Sequence, residues 1–310
     1  MPISAPSSST NPVSLSVWMK QCQEQIEVAL ADFLPSPEQK PTELHQAMRY
    51  AVLDGGKRVR PLLVYAAGQL LGHADQAELT RAACALEMIH AYSLVHDDMP
   101  CMDNDMLRRG KPTVHVKYGQ ATALLVGDAL QAQAFLILSE GKNPAPRQLK
   151  MLQILAHASG SLGMCGGQAI DLASVGVSLT RDQLEQMHQL KTGALLRGSV
   201  LLGALCGQKP DGKDFDEIEM TALNSYCHAI GLAFQVVDDI LDATADSAAL
   251  GKTAGKDAAD NKPTYVSILG LDASRVLAEN LRLQAHAALS VFSNTRRLSE
   301  LADFIVQRSA

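Results

Sequence analysis

Several features are scarce or missing, and each absence narrows the field. No uncharged apolar run approaches the ~20 residues needed to cross a bilayer. The most apolar stretch, 121–138, is interrupted by Asp128, Gln131 and Gln133. The first fourteen residues, MPISAPSSSTNPVS, lack the basic start and apolar core of a secretory signal. They read as a disordered leader (1–14) ahead of a domain over 15–310, and the protein as soluble and cytoplasmic, without membrane insertion. The six cysteines (Cys22, Cys84, Cys101, Cys165, Cys206, Cys227) form no C-x-x-C pair and no zinc spacing, which leaves reduced thiols. Cys101 alone sits inside a candidate motif. Basic residues are outnumbered, and a net charge of -6 excludes nucleic acid as the main partner. Aromatics make up only 4%, and period-2 runs rich in Val, Ile and Thr are absent.

What remains is helical. Apolar residues recur at spacings of three and four almost throughout. The periodicity predicts helices over 15–33, 40–54, 61–72, 76–99, 113–139, 146–172, 180–207, 214–244, 262–269, 272–293 and 296–308. No break is long or polar enough for a domain linker. The expectation is one all-α domain of about ten helices.

Chemistry concentrates in 90–113, HAYSLVHDDMPCMDNDMLRRGKPT. Asp97 and Asp98 close an apolar helix, Pro100 bends the chain, and Asp103 is expected to turn back towards them. Carboxylates at a helix C-terminus oppose the macrodipole and call for a compensating cation. Arg108, Arg109 and Lys111 follow at once. Mg²⁺ takes carboxylate and phosphate oxygens together, and Arg offers phosphate a planar fork, so the stretch suggests a metal-bridged diphosphate.

A second cluster, DDILD, places Asp238 and Asp242 on one helical face, where like charges repel unless a cation lies between them. The turn GGKRVRP sets Lys57, Arg58 and Arg60 after two glycines, a pattern for an anion pocket and not a P-loop. KTG (Lys191, Thr192, Gly193) puts a glycine inside a Leu/Ala-rich helix, where it costs ~1 kcal/mol, so something must approach closely. Gln235 lies a turn before DDILD, and Lys252, Lys256 and Lys262 follow it. His90 shares a helical face with Asp97, whereas His96 reads as a packed neighbour.

This set of motifs in this order resembles the trans-prenyltransferases, or isoprenyl diphosphate synthases. Within them it is most similar to the bacterial farnesyl diphosphate synthases, from about residue 40 onward. One departure is Asn104, where related sequences often continue the acidic run. The resemblance implies a helical bundle around a deep cavity, usually a homodimer, with Mg²⁺ held by Asp97, Asp98, Asp103, Asp238 and Asp242. It implies an allylic diphosphate bound by Arg108, Lys191, Lys252 and Lys262, and isopentenyl diphosphate bound by Lys57, Arg60, His90 and Arg109. Lys191 (through its carbonyl), Thr192 and Gln235 would face the developing cation, making them the catalytic residues. Tyr92 and Ser93 would set product length, the Tyr92 ring stopping growth near fifteen carbons.

Three other readings stay open. A longer-chain (geranylgeranyl) synthase would share every motif and differ at the cavity floor. A non-catalytic subunit of a heteromeric synthase would be expected to lack one Asp motif, and a terpene cyclase would not need Lys57, Arg60 and Arg109.

Overall fold

The computed structural model describes residues 13–208, 215–244 and 263–308. Among them are fourteen α-helices. The first half holds α1 (Leu15–Phe33), α2 (Thr42–Val52), α3 (Val59–Gly68), α4 (Gln76–Asp97), α5 (Val114–Tyr118), α6 (Gln120–Ser139) and α7 (Ala145–Ser159). The second holds α8 (Met164–Ala173), α9 (Arg181–His188), α10 (Ala194–Cys206), α11 (Glu217–Thr244), α12 (Tyr265–Leu269), α13 (Leu271–Ala288) and α14 (Arg296–Gln307). The all-α architecture matches the periodicity, with three differences in detail. The stretch expected as 113–139 breaks at Gly119, which sits at φ +87° between α5 and α6. The stretch expected as 146–172 breaks between Ser159 and Met164. The stretch expected as 180–207 is one rod with a π-helical segment, Gln189–Gly193, inserted between α9 and α10.

The core follows from burial pattern. α4 is capped by Asp75, whose carboxylate accepts from the Ala77 and Glu78 amides. It then buries Leu79 and every residue from Ala82 to Ile89, which only a helix enclosed on nearly all sides does. α3, α6 and α10 pack around it, and α11 lies against α10, α13 and α14. α6 is the one described helix with the length and apolar composition of a membrane-crossing segment. It carries Asp128 and buries a stripe from Ala123 to Leu138 against the bundle. Trp18 of α1 is buried, with the Arg297 guanidinium of α14 5.0 Å above its ring.

Strands are confined to two minimal antiparallel pairs, His73–Ala74 with Gly207–Gln208 and Leu107–Arg108 with Lys111–Pro112. The second is a two-residue hairpin whose central residues, Arg109 and Gly110, have φ +53° and +74°. A tight hairpin that matches strand twist requires positive φ at both. All six cysteines are free; Cys101 and Cys165 are exposed and the other four buried.

Candidate active site

α4 delivers the first acidic cluster. After Asp97 the chain folds back on itself: the Asp103 amide donates to the Asp97 carbonyl (2.8 Å) and the Asp105 amide to that of Asp98 (3.1 Å). Asn104 makes the bend in the left-handed region, φ +52°, which Asn tolerates better than most residues. That accounts for its place in an otherwise acidic run. The Asp97 carboxyl is pushed up to about 6 by burial, with Lys191 and Arg108 pulling it down and Asp103 and Asp98 pushing further. Burial outweighs the pull of those two cations, so further positive charge beside this carboxylate would favour its ionised form. The donors are all oxygens, the set Mg²⁺ prefers.

Asp98, like Asp238 of the second motif, already has an arginine partner. Its side chain is 5% exposed and accepts the Arg108 guanidinium through Nε (3.0 Å to Oδ1) and Nη2. Both carboxylate oxygens take part, the Nε bond to Oδ2 being 3.2 Å. Asp98 thereby orients Arg108. Among the described residues no three acidic, His or Cys side chains form a preformed metal cage. Mg²⁺ in phosphate chemistry needs none, because substrate oxygens complete its shell.

The cationic side is assembled from two turns. Gly56, at φ +96°, lies under Arg109: a Cβ there would sit 2.6 Å from Arg109 Nη2. The glycine pair of GGKRVRP thus makes room for a cation from RRGKPT. Of the three cations in that motif, Lys57 and Arg60 remain available, while Arg58 turns inward, against the expectation that all three line the pocket. At φ +51° it caps α3 and donates to Glu87 (2.6 Å), Glu27 (2.5 Å) and the Val52 carbonyl (2.6 Å). Burial opposes its charge, yet the two glutamates hold its pKa above the usual value. Arg60 has no such compensation: its Nε is buried without a partner, and burial lowers its pKa despite Glu87 and Asp238. His90 is held well below its usual value by burial and by Arg60, Arg109, Arg108 and Arg58 in turn. Burial lowers Arg109 as well. Arg58 and Arg108 add to that lowering at Arg109, so positive charge is concentrated here partly out of water, a setting that suits an anion.

The third wall comes from the π segment. Lys191 pairs with Asp171 of α8 at 2.5 Å. Gly167, one turn before Asp171, lets α8 close on this segment, since a Cβ there would lie 2.1 Å from the Lys191 amide nitrogen. A π insertion shifts the hydrogen-bond register and is a frequent mark of a functional site. Thr192 Oγ1 donates to Gln235 Oε1 (3.3 Å), and Gln235 Nε2 to Asp239 Oδ1 (2.8 Å). Asp239 Oδ2 accepts the Tyr265 amide (2.8 Å), so this buried aspartate is structural. Asp242 is buried on the same helix, and Asp238 accepts Arg308, whose guanidinium also donates to the Phe234 carbonyl (2.9 Å). The hydrogen-bonded chain Thr192–Gln235–Asp239 ties the π segment to the second acidic motif.

Tyr92 and Ser93 lie on α4 before Asp97; Tyr92 is 5% exposed, and Ser93 Oγ donates to the His90 carbonyl (2.9 Å). Lys252, Lys256 and Lys262 fall outside the described residues. Three contributors were not singled out from the sequence: Asp171, Arg308 and the Glu27–Glu87 pair. An acid in the Gly/Ala-rich α8 was a signal for Asp171. Arg308 lies 70 residues from its partner with no local cue.

Comparison with known proteins agrees with this geometry. A family model described as polyprenyl synthetase matches residues 41–296. A probable farnesyl diphosphate synthase of Sinorhizobium fredii is 49% identical, the match covering 95% of this chain and 87% of the relative. The farnesyl diphosphate synthase of Escherichia coli is 46% identical over 94% and 98%. The crystal structure of an FPP/GFPP synthase from Zymomonas mobilis superposes with a TM-score of 0.83 at 44% identity, covering 94% and 98%. With the motifs, the helical architecture and these likenesses in accord, the chain belongs to the polyprenyl synthetase family of prenyltransferases.

Proposed function

We propose that the protein is a Mg²⁺-dependent trans-prenyltransferase that condenses isopentenyl diphosphate with dimethylallyl and then geranyl diphosphate to give farnesyl diphosphate. The observation that carries this reading is the juxtaposition of two charge environments: an acidic cluster at Asp97, Asp98 and Asp103 folded back on itself, and arginines gathered beside it, Arg108 on Asp98 and Arg109 over Gly56. The first calls for metal and the second for an anion, and a cyclase would not need the second.

Asp97 and Asp103 from one wall, and Asp238 and Asp242 from the other, hold Mg²⁺, which when bound neutralises charge on the departing diphosphate. Arg108, fixed by Asp98, and Lys191, fixed by Asp171, bind the allylic diphosphate together with Lys252 and Lys262. Lys57, Arg60, His90 and Arg109 bind the diphosphate of isopentenyl diphosphate. The allylic carbon–oxygen bond breaks with its electron pair leaving on oxygen. The resulting cation faces the Lys191 carbonyl, Thr192 Oγ1 and Gln235 Oε1. The isopentenyl alkene attacks it, and a proton passes to the released diphosphate as the new double bond forms. Apolar walls keep water from the cation. The Tyr92 ring, beside Ser93, stops growth near fifteen carbons.

The protein works as a homodimer. α6 leaves Leu124, Leu125 and Leu136 exposed, and α7 leaves Leu149 exposed beside them. A shallow apolar depression between the helices, lined by Phe135, Leu136, Leu152 and Ala156, supports burial by a second copy. A cytoplasmic location fits the substrates.

The deciding experiment is product analysis of purified protein with Mg²⁺, isopentenyl diphosphate and dimethylallyl diphosphate. A fifteen-carbon product is expected, abolished by chelator and reduced about 10²- to 10³-fold by Asp97→Ala. A twenty-carbon product would favour the longer-chain, geranylgeranyl reading. No condensation by folded protein would favour a subunit of a heteromeric enzyme.

A further inference from the structure

The Tyr92 phenol is gripped from three helices. Its ring meets the His96 imidazole, one turn further along α4, edge-on at 5.8 Å between centroids and 78° between planes. His96 Nε2 in turn lies 3.1 Å from the Leu124 carbonyl oxygen of α6. The hydroxyl hydrogen-bonds Cys165 Sγ of α8, at 3.4 Å, and the Gln131 side chain of α6 lies near enough to favour negative charge on its oxygen. The ring is buried, while Gln131 and Cys165 are exposed at the outer end of the contact.

A buried tyrosine ring places its hydroxyl where partners await it, and those partners then fix the ring plane. Without them the ring could turn about its side-chain bonds and yield to an advancing apolar chain. We propose that Gln131 and Cys165 are specificity-determining positioning residues: they hold Tyr92 across the end of the elongation path and so fix product length without touching either diphosphate. This rests on the reading of Tyr92 as the stop. The clamp explains how a single ring can arrest growth: adding one more five-carbon unit requires polar contacts to two separate helices to give way together. A neutral hydrogen bond biases such a two-position equilibrium by roughly two- to tenfold.

The test compares the ratio of twenty- to fifteen-carbon product, and total condensation, in five variants: Tyr92→Ala, Tyr92→Phe, Gln131→Ala/Cys165→Ala, Gln131→Ala/Cys165→Ser and the double alanine variant with Tyr92→Phe added. Tyr92→Ala is expected to open the path outright. Tyr92→Phe, which keeps the ring and loses the hydroxyl, and the double alanine variant are each expected to raise the ratio about fivefold. In the double alanine variant total condensation stays within twofold of the parent, and Cys165→Ser in that background recovers part of the original ratio. Adding Tyr92→Phe to the double alanine variant changes nothing further, because the same polar contacts are already gone. If Tyr92→Ala lengthens the product while Tyr92→Phe and the double alanine variant do not, the clamp is wrong and Tyr92 remains the stop. If Tyr92→Ala leaves the product unchanged, the stop is elsewhere and the clamp falls with it. Equal loss of both products in the double alanine variant would mark a purely structural role and also overturn the proposal.

Discussion

Residue type announced the chemistry of this site, but orientation decided which residues take part. Asp97 and Asp98 are chemically identical neighbours, yet one is buried between the influences of Lys191 and Asp103 and the other ends in the fork of Arg108. Arg58 and Arg60 divide in the same way, because positive φ at Arg58 turns its side chain into the protein. Sequence could count these charges but could not assign them, since nothing local distinguishes a buried ion pair from an exposed cation. Arg58 and Glu87 are 2% and 3% exposed, so removing one leaves a buried charge alone. Arg58→Ala is expected to lower stability by about 3–5 kcal/mol, read from the urea unfolding midpoint. At Asp97 the prediction concerns pH. Its carboxyl is raised to about 6, so in the metal-free protein the charged form is disfavoured; this contribution to stability is present at low pH and lost as pH rises through 6. Metal needs the ionised form. Calorimetric Mg²⁺ titration is therefore expected to show constant affinity above about pH 7 and a fall of about tenfold per pH unit below 6. Asp97→Asn is expected to weaken binding at every pH and flatten the profile.

At the level of elements, the centres of the helices were legible and the joints were not. Periodicity continues across Gly119 and across the gap between α7 and α8, because apolar residues on both sides keep the same spacing while the backbone turns. The hairpin carrying Arg108 and Arg109 has strands of two residues, too short for alternation; only the Arg109–Gly110 turn encodes it. The π segment left a fainter trace, a glycine where a helix would not want one, at Gly193. Its position depends on α8 approaching closely at Gly167. Gly167→Ala is expected to displace Lys191 and Thr192 and lower kcat about 10²-fold, with helix content by circular dichroism unchanged. A variant with full activity would show that the segment tolerates displacement.

For the molecule as a whole, the all-α class followed from a missing period-2 pattern and a dominant helical one. The packing order, with α4 at the centre, followed less directly, from the helix whose apolar residues leave no polar face. Quaternary structure is a prediction at this scale. Leu125 and Leu136 are 54% and 52% exposed. Leu125→Glu/Leu136→Glu is expected to halve the sedimenting mass, while the parent sediments as a dimer. A parent that is already monomeric would remove the dimer from the reading.

Trp18 is the only indole in the chain, and Arg297 of α14 lies over its ring. The same helix leads directly into Arg308, which rests on Asp238 of the second acidic motif. Intrinsic fluorescence is therefore a label already in place, seated on α1 against the helix that reaches Asp238 of the second acidic motif. A change in emission on adding substrate would register movement of α14 against α1, and a silent indole during turnover would mean that the acidic wall is loaded without that helix leaving its seat.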